Sequence, residues 1–404
     1  MKNILILTYW SYPDALIQTY TLPYVRIIKK NLPTGSSIHL LTLEKDQSVL
    51  EKPKREEIAE KLEQEGIHWL PFAYKPFGIA AFILWIGISL KLCTLIIQRK
   101  ISTIHCWCTP PGAIGYFLSV LLNKKLVLDS YEPHAEAMVE NGTWKRASLA
   151  FKLLFWLEKK QTQRAAYIIS ATQGMKEYAA RKYHVDIPHF FVKPACVDLS
   201  LFNENVVNDQ QLRHQLALEN KIVCVYAGKF GGIYLEDEIF DFIKVASDHW
   251  GDAFRFLILT NHSREEITEY CHEAGVDMNC IVMKFVPHNK VPRYMGLADF
   301  AITPVKPIPT KRYCTPIKDG EYWALGLPVV ISENISDDSD IIESNNIGAV
   351  IKTFSKDAHL DAVLKIDTLR KQSGLRDKIR SIAKQYRSFD IAEKVYREVY
   401  DDNL

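Results

Sequence analysis

Short apolar runs rich in Val, Ile, Leu and Phe alternate with longer stretches of helical periodicity through almost all of this 404-residue chain. Continuous apolar runs mark strands buried on both faces, and strands separated by helices predict parallel α/β sheets. In the first half the predicted strands are residues 3–9, 37–43, 103–108, 126–129, 167–170 and 190–193. After VKPACVDLSLF (192–202) the pattern restarts with KIVCVYAG (221–228), FRFLILT (254–260), IVMKFV (281–286), FAITPV (300–305) and LPVVI (327–331). The restart predicts two sequential α/β domains joined near 195–215, without an internal repeat. The closing stretch YRSFDIAEKVYREVYDD places Ile391, Val395 and Val399 on one face of an amphipathic helix.

The segment TPIKDGEYWALGLPVVISE (315–333) combines a helix start with chemistry. A Thr315 hydroxyl can cap free N–H groups, and Pro316 at the first helical position loses no hydrogen bond. The helix is expected to run to about Leu325, where Gly326 supplies a left-handed exit and Pro328 forbids continuation. Such a helix, opening at the edge of a parallel sheet, aims its free N–H groups and positive dipole end at an anion, most often phosphate. Lys318 in the first turn would be unfavourable unless that anion carries more than one charge. Glu321, three residues on and on the same face, can accept two sugar hydroxyls. YAGKFGG (226–232) follows a strand and precedes a helix, so its glycines let a phosphate approach the backbone. It is not G-x-G-x-x-G, which argues against a nicotinamide cofactor. SDDSD (336–340) offers a D-x-D pattern, but its position after a buried strand favours Asp338 or Ser339 as a helix N-cap over a metal site.

The 315–333 segment resembles the donor-site signature of retaining, nucleotide-sugar-dependent glycosyltransferases of family 4, in the subgroup written S/T-P-x-K-x-x-E-Y-x-A-x-G-x-P-V-V. Every fixed position is met from Thr315 to Val330. The resemblance implies a GT-B fold: two Rossmann-like parallel-sheet domains facing across a cleft, with a C-terminal helix returning to the first. It puts an acceptor domain at 1–197 plus a tail helix at 389–404, and a nucleotide-sugar donor domain at 198–388. Within the latter it implies that Lys318 holds the donor pyrophosphate, that Glu321 holds the ribose hydroxyls, and that Lys229, directly after Gly228, also contacts pyrophosphate. Backbone groups at Phe285 and Val286 would read the nucleobase, and Thr315 and Ile317 would belong to the donor-binding helix end. In the first domain, His134 in SYEPHAE would touch the donor sugar or acceptor, with Glu132 beside it. Asp14, in the loop WSYPDALIQTY (10–20), would lie on the acceptor side. The chain departs from the family pattern at Tyr313, where the first glutamate of E-x(7)-E would stand, and at Tyr234 and Leu235, in place of a second lysine.

Retaining chemistry of this kind needs no protein base, because a leaving phosphate oxygen can take the acceptor proton. Neither metal nor cofactor is expected, with lysines and a helix dipole replacing a cation. The implied partners are a nucleotide-sugar donor and a saccharide or lipid-linked hydroxyl acceptor, in surface polysaccharide biosynthesis. Three alternatives stand beside this reading: an inverting GT-B enzyme with Asp14 as base, a sugar-nucleotide epimerase, and a non-catalytic sugar-nucleotide binder.

Composition adds three constraints. With 48% hydrophobic and 24% charged residues the chain is globular, and a net charge of +2 implies no general attraction to nucleic acid. The charge is uneven: residues 1–197 carry 25 Lys+Arg against 16 Asp+Glu, a balance of +9, and the remainder 25 against 32, a balance of −7. A basic first half suits anionic lipid headgroups or phosphorylated acceptors. The eight cysteines form no C-x-x-C pair and predict reduced, buried thiols. FGIAAFILWIGISL (77–90), interrupted by Lys91, falls short of a spanning length and predicts a core or interfacial helix within 77–98. The chain opens directly on a strand, which predicts a cytoplasmic protein, peripheral at most to the cytoplasmic membrane face.

Overall fold

A computed structural model describes residues 2–76 and 78–400 of the chain. Phe77, the first residue of the apolar 77–98 stretch, and tail residues 401–404 lie outside the described residues. The chain divides into two compact units, one ending at Lys193 and resuming from Asp390, the other spanning Pro194–Phe389. This division falls four residues before the 197/198 boundary expected from sequence.

Unit 1 contains a seven-stranded sheet of order β3-β2-β1-β4-β5-β6-β7. Its strands are β1 Asn3–Leu7, β2 Ile38–Glu44, β3 Ile67–Ala73, β4 Ile101–Trp107, β5 Lys125–Asp129, β6 Tyr167–Ser170 and β7 Phe190–Val192. All six pairings are parallel. The helices are α1 Leu22–Asn31, α2 Lys52–Gln64, α3 Ile79–Gln98, α4 Thr109–Leu121, α5 His134–Glu140, α6 Leu149–Arg164 and α7 Gly174–Tyr178. β3 was not foreseen. Its run IHWLPFA is broken by Pro71, which cannot donate to a ladder and is tolerated here because β3 is an edge strand.

Unit 2 contains a six-stranded, all-parallel sheet of order β10-β9-β8-β11-β12-β13. In chain order its elements are α8 Gln210–Gln215, β8 Ile222–Ala227, α9 Asp237–Trp250, β9 Phe254–Leu259, α10 Arg264–Ala274, β10 Ile281–Lys284 and α11 Val291–Met295. They continue with β11 Phe300–Thr303, α12 Ile317–Ala324, β12 Val329–Ser332, α13 Asp338–Asn345, β13 Gly348–Ile351, α14 Lys356–Leu369 and α15 Leu375–Arg387. β13 (GAVI), also an edge strand, was not foreseen either. One apolar core joins both faces of this sheet to its helices, with Tyr322 and Trp323 of α12 fully buried in it.

The last helix, α16 Phe389–Tyr400, belongs to unit 1 from Asp390 onward. The Tyr396 hydroxyl donates to Asp129 Oδ2 (2.7 Å), and the Tyr400 hydroxyl lies 2.6 Å from His105 Nδ1. Asp129 also pairs with buried Lys193 (3.2 Å), whose ammonium sits 3.7 Å from the centre of the Tyr24 ring. These partners hold the Asp129 carboxyl down at about 2 against the opposing effect of its burial. Thus β5, the end of unit 1 and the returning helix share one buried charge. All eight cysteines are free, five of them buried. Among the described residues no helix is long and apolar enough to cross a membrane.

Candidate functional site

In unit 2 the chain order reverses between β8 and β11, the switch point outside whose carboxyl ends ligands bind in open α/β sheets. The loop after β8 holds Gly228 and Lys229. Gly228 is required by close approach: a Cβ there would lie 2.5 Å from the Tyr226 hydroxyl, which donates to the Lys229 carbonyl (2.5 Å). Gly231 and Gly232 adopt left-handed φ values of 82° and 64°. The loop is braced from three sides. Phe230 N–H donates to His262 Nε2 (3.0 Å), Leu235 N–H to the Pro304 carbonyl (2.7 Å), and Tyr234 bridges Val305 in antiparallel fashion. The Lys229 side chain is left exposed on this fixed turn.

α12 opens beside the same edge. Its N-cap is Pro316 rather than Thr315, and it has no side-chain cap hydrogen bond. Thr315 Oγ1 instead lies 3.2 Å from Ser336 Oγ, so the hydroxyl braces the segment before the helix against the residues leading into α13. The expected Thr315 cap is therefore corrected, and Ile317 is the first helical residue. The Ala227 N–H donates to the Tyr322 hydroxyl (3.2 Å), which ties the end of β8 to α12. Lys318 Nζ lies 2.6 Å from Glu321 Oε2, with the two side chains 34% and 6% exposed. Three residues apart on one helical face, the two side chains meet, so Glu321 has a partner within the protein itself.

Beneath them, Asp319 is fully buried and accepts from the Thr303 hydroxyl at the end of β11. Burial first, and the neighbouring Asp338 carboxyl next, push Asp319 well above the usual carboxylate range. Asp338 itself pairs with buried Arg387, whose guanidinium also stacks 5.1 Å from the Trp323 ring centre. Asp338 is thus no helix N-cap, that position being Asp337, and Ser339 donates to the Ile335 carbonyl. Among the described residues no group of three or more His, Cys, Asp or Glu side chains could hold a metal ion.

An open pocket of about 490 Å³ follows the ends of β9 and β10, lined by Thr260, Asn261, His262, Arg264, Met283, Lys284 and Phe285. Phe285 is 78% exposed, whereas Val286 packs partly against the core. His262 and Arg264 were missed by sequence reasoning, although the run TNHSRE directly after a predicted strand was the available signal.

The remaining candidates lie in unit 1. His134 opens α5, with Nδ1 3.7 Å from Glu132 Oε1, both about one-third exposed. Underneath, Ala135 N–H and the Tyr183 hydroxyl donate to Glu158, whose burial raises its carboxyl to about 8. Asp14 Oδ2 accepts from Ser11 N–H (3.2 Å) and lies 3.5 Å from Lys45 Nζ. Its loop is anchored by buried Glu44, which accepts from the Ser11 hydroxyl (2.5 Å) and Tyr12 N–H (3.1 Å).

Residues 221–367 match the family model described as glycosyl transferases group 1, a match confined to unit 2. Solved structures extend the likeness of fold to the whole chain. Sucrose-phosphate synthase from Thermosynechococcus elongatus is 14% identical, covers 99% of both chains and gives a TM-score of 0.72. HepE from Anabaena, solved with UDP-glucose, is 14% identical over 99% of both chains with a TM-score of 0.69. WaaG, a glycosyltransferase involved in lipopolysaccharide biosynthesis, is 13% identical over 99% of this chain and all of its own, with a TM-score of 0.68. No curated protein sequence matches the chain. The two Rossmann-like units with parallel sheets are those of the GT-B fold.

Proposed function

We propose that this protein is a glycosyltransferase that moves a sugar from a nucleoside-diphosphate donor to a hydroxyl acceptor, with retention and without a metal. The observation that carries the reading is the opening of α12. Uncapped N–H groups and Lys318 stand at the carboxyl edge of the unit 2 sheet, with the nearly buried Glu321 one turn deeper. In this reading the diphosphate sits at the helix end between Lys318 and Lys229. Lys318 leaves Glu321 for phosphate, and the freed carboxylate accepts the ribose hydroxyls. Charge growing on the departing diphosphate meets two cations and a helix dipole already in place, the largest catalytic contribution expected here. The nucleobase occupies the pocket at Phe285, its edge read by backbone groups there and at Val286.

The donor nucleotide is uridine or guanosine diphosphate; the uridine arm draws support from HepE, which was solved with UDP and with UDP-glucose. The acceptor is a saccharide or lipid-linked hydroxyl held by unit 1 residues around His134, Glu132 and Asp14, and WaaG's role in lipopolysaccharide biosynthesis favours a surface polysaccharide. A thermal-shift panel of nucleoside diphosphates tests the donor site. A ligand at 100 times its Kd adds about 2.7 kcal/mol, so one member should raise Tm by several degrees. No shift with any nucleotide would refute the donor site. Anomeric analysis of the transfer product then decides between retention and inversion.

A further inference from the structure

Unit 1 carries a second surface with its own chemistry, on the sheet face built from α3, α4 and α6, where α4 packs against both of the others. Each helix buries one apolar stripe and leaves another outside. On α3, Ile88, Leu92 and Ile96 are buried while Ile83, Ile86, Leu90 and Ile97 are exposed, Leu90 by 65%. On α4 the exposed residues are Phe117, Val120 and Leu121, the last by 72%. On α6 they are Leu149, Leu153 and Trp156, at i, i+4 and i+7, with Leu149 79% exposed. Scattered apolar residues need no explanation, but ten on three adjoining helices do.

The charges on the segments that carry this face are almost all of one sign, although α5, which packs on α6, carries partly exposed Glu140 and its Glu136 pairs with Arg146 (3.3 Å). Residues 77–125 contain five Lys or Arg and no Asp or Glu. Residues 141–170 contain six Lys or Arg and one acid, Glu158, which is buried under α5. Lys152 lies on the exposed α6 stripe, and the Lys160 ammonium sits 5.9 Å from the Trp156 ring centre.

We propose that the α3–α4–α6 face docks on a bilayer surface containing anionic phospholipid, the apolar stripes entering the headgroup boundary and the lysines pairing with phosphate. The nearly one-signed charge selects this occupant. A second copy meeting the same face would set most of these cations against their own kind, with no carboxylate on α3, α4 or the exposed side of α6 to separate them. A nucleic acid would satisfy the cations but leave the Ile and Leu stripes in water. A lipid surface takes both, and an amphipathic tryptophan beside lysine suits the interface. The proposal stands on unit 1 alone and does not depend on the donor chemistry.

Flotation of the whole protein with phosphatidylcholine vesicles, pure or equimolar in phosphatidylglycerol, tests it. The protein should float with the anionic vesicles at about 50 mM salt and much less at about 500 mM. Each lysine removed from the surface weakens binding about fivefold, so Lys152→Gln/Lys160→Gln should lose about 25-fold. Leu90→Ser/Leu153→Ser, both at exposed positions, should abolish binding with an unchanged thermal melt and unchanged nucleotide-induced shift. Brominated acyl chains should quench wild-type fluorescence more than that of Trp156→Phe. Failure to float with anionic vesicles, or equal flotation with both compositions, overturns the proposal. So does a concentration-dependent dimer that Leu90→Ser/Leu153→Ser dissolves, which would identify a second copy as the occupant.

Discussion

Removing the Lys318 ammonium should have two effects that a second substitution separates. In the structure Nζ lies 2.6 Å from Glu321 Oε2, with the lysine 34% and the glutamate 6% exposed. An exposed pair is worth about 0–1 kcal/mol, and a buried one several when one partner is removed. The exposed lysine places this pair near the low end, so Lys318→Ala should cost about 1–2 kcal/mol through the carboxylate left unpaired. For a unit of this size that is a fall of roughly 2–8 °C in Tm. If Lys318 also meets the leaving diphosphate, kcat should drop about a hundredfold, or roughly 3 kcal/mol of transition-state stabilisation.

Glu321→Gln should instead act mainly on donor KM, because ribose contacts are equal in ground and transition states. The double variant decides between the roles. Neutralising Glu321 removes the unpaired carboxylate, so Lys318→Ala/Glu321→Gln should recover Tm yet remain slow. Thermal melts and steady-state kinetics on all four proteins close the cycle. Near-normal turnover of folded Lys318→Ala, or recovery of kcat in the double variant, would refute the phosphate role and leave Lys318 as a partner for Glu321 alone.

Activity should survive an excess of chelator, whereas its loss and rescue by magnesium would require a cation that the proposed lysine site replaces. Gly228→Ala should destabilise unit 2 and weaken nucleotide binding, since its Cβ would fall 2.5 Å from the Tyr226 hydroxyl. Adding Tyr226→Leu, which removes both the hydroxyl and the ring carbon that would lie 2.7 Å from that Cβ, should restore part of the nucleotide binding, and no rescue would place the strain elsewhere. Burial raises the Glu158 carboxyl to about 8, above its unfolded range, so its stabilising contribution is full below about 4.5 and fades as pH rises towards 8. Glu158→Gln should flatten that decline in urea-unfolding free energies measured from pH 5 to 9, and an unchanged slope would show that Glu158 ionises without penalty.

What the sequence made legible follows from the range of the forces involved. The long apolar strands at the centre of each sheet announce themselves, because burial on both faces leaves no polar alternation. Both strands that escaped notice, β3 and β13, lie at edges, where a proline or a short small-residue run is tolerated. The 315–333 signature is local, so its residues could be read directly. The Asp319–Asp338–Arg387 cluster joins residues 19 and 49 positions apart (319 to 338, 338 to 387), and no pattern in the chain announces it. The unit 1 face was half visible: the run at 77–90 is apolar by itself, but α4 and α6 show their exposed stripes only once each helix's buried side is known.

One inference from sequence changes its footing. A lysine in the first turn of α12 looked intelligible only with an external anion, yet Glu321 already supplies a counter-charge inside the protein. The pair leaves room for the proposed anion, because its order opposes the helix. Lys318 stands at the positive end and Glu321 follows it, whereas a pair serving the helix alone would run from glutamate to lysine. Ser263 and Glu266 of α10 show what this chain does when only stability is at stake: they form a reciprocal capping box with the carboxylate at the N-terminus. α12 has no side-chain cap, a lysine in a first turn whose one acid, Asp319, is buried with its carboxyl pushed well above the usual range, and a carboxylate held one turn inside. The proposed diphosphate at the helix end would reverse each of these costs at once, supplying acceptors, negative charge and a partner that releases Glu321.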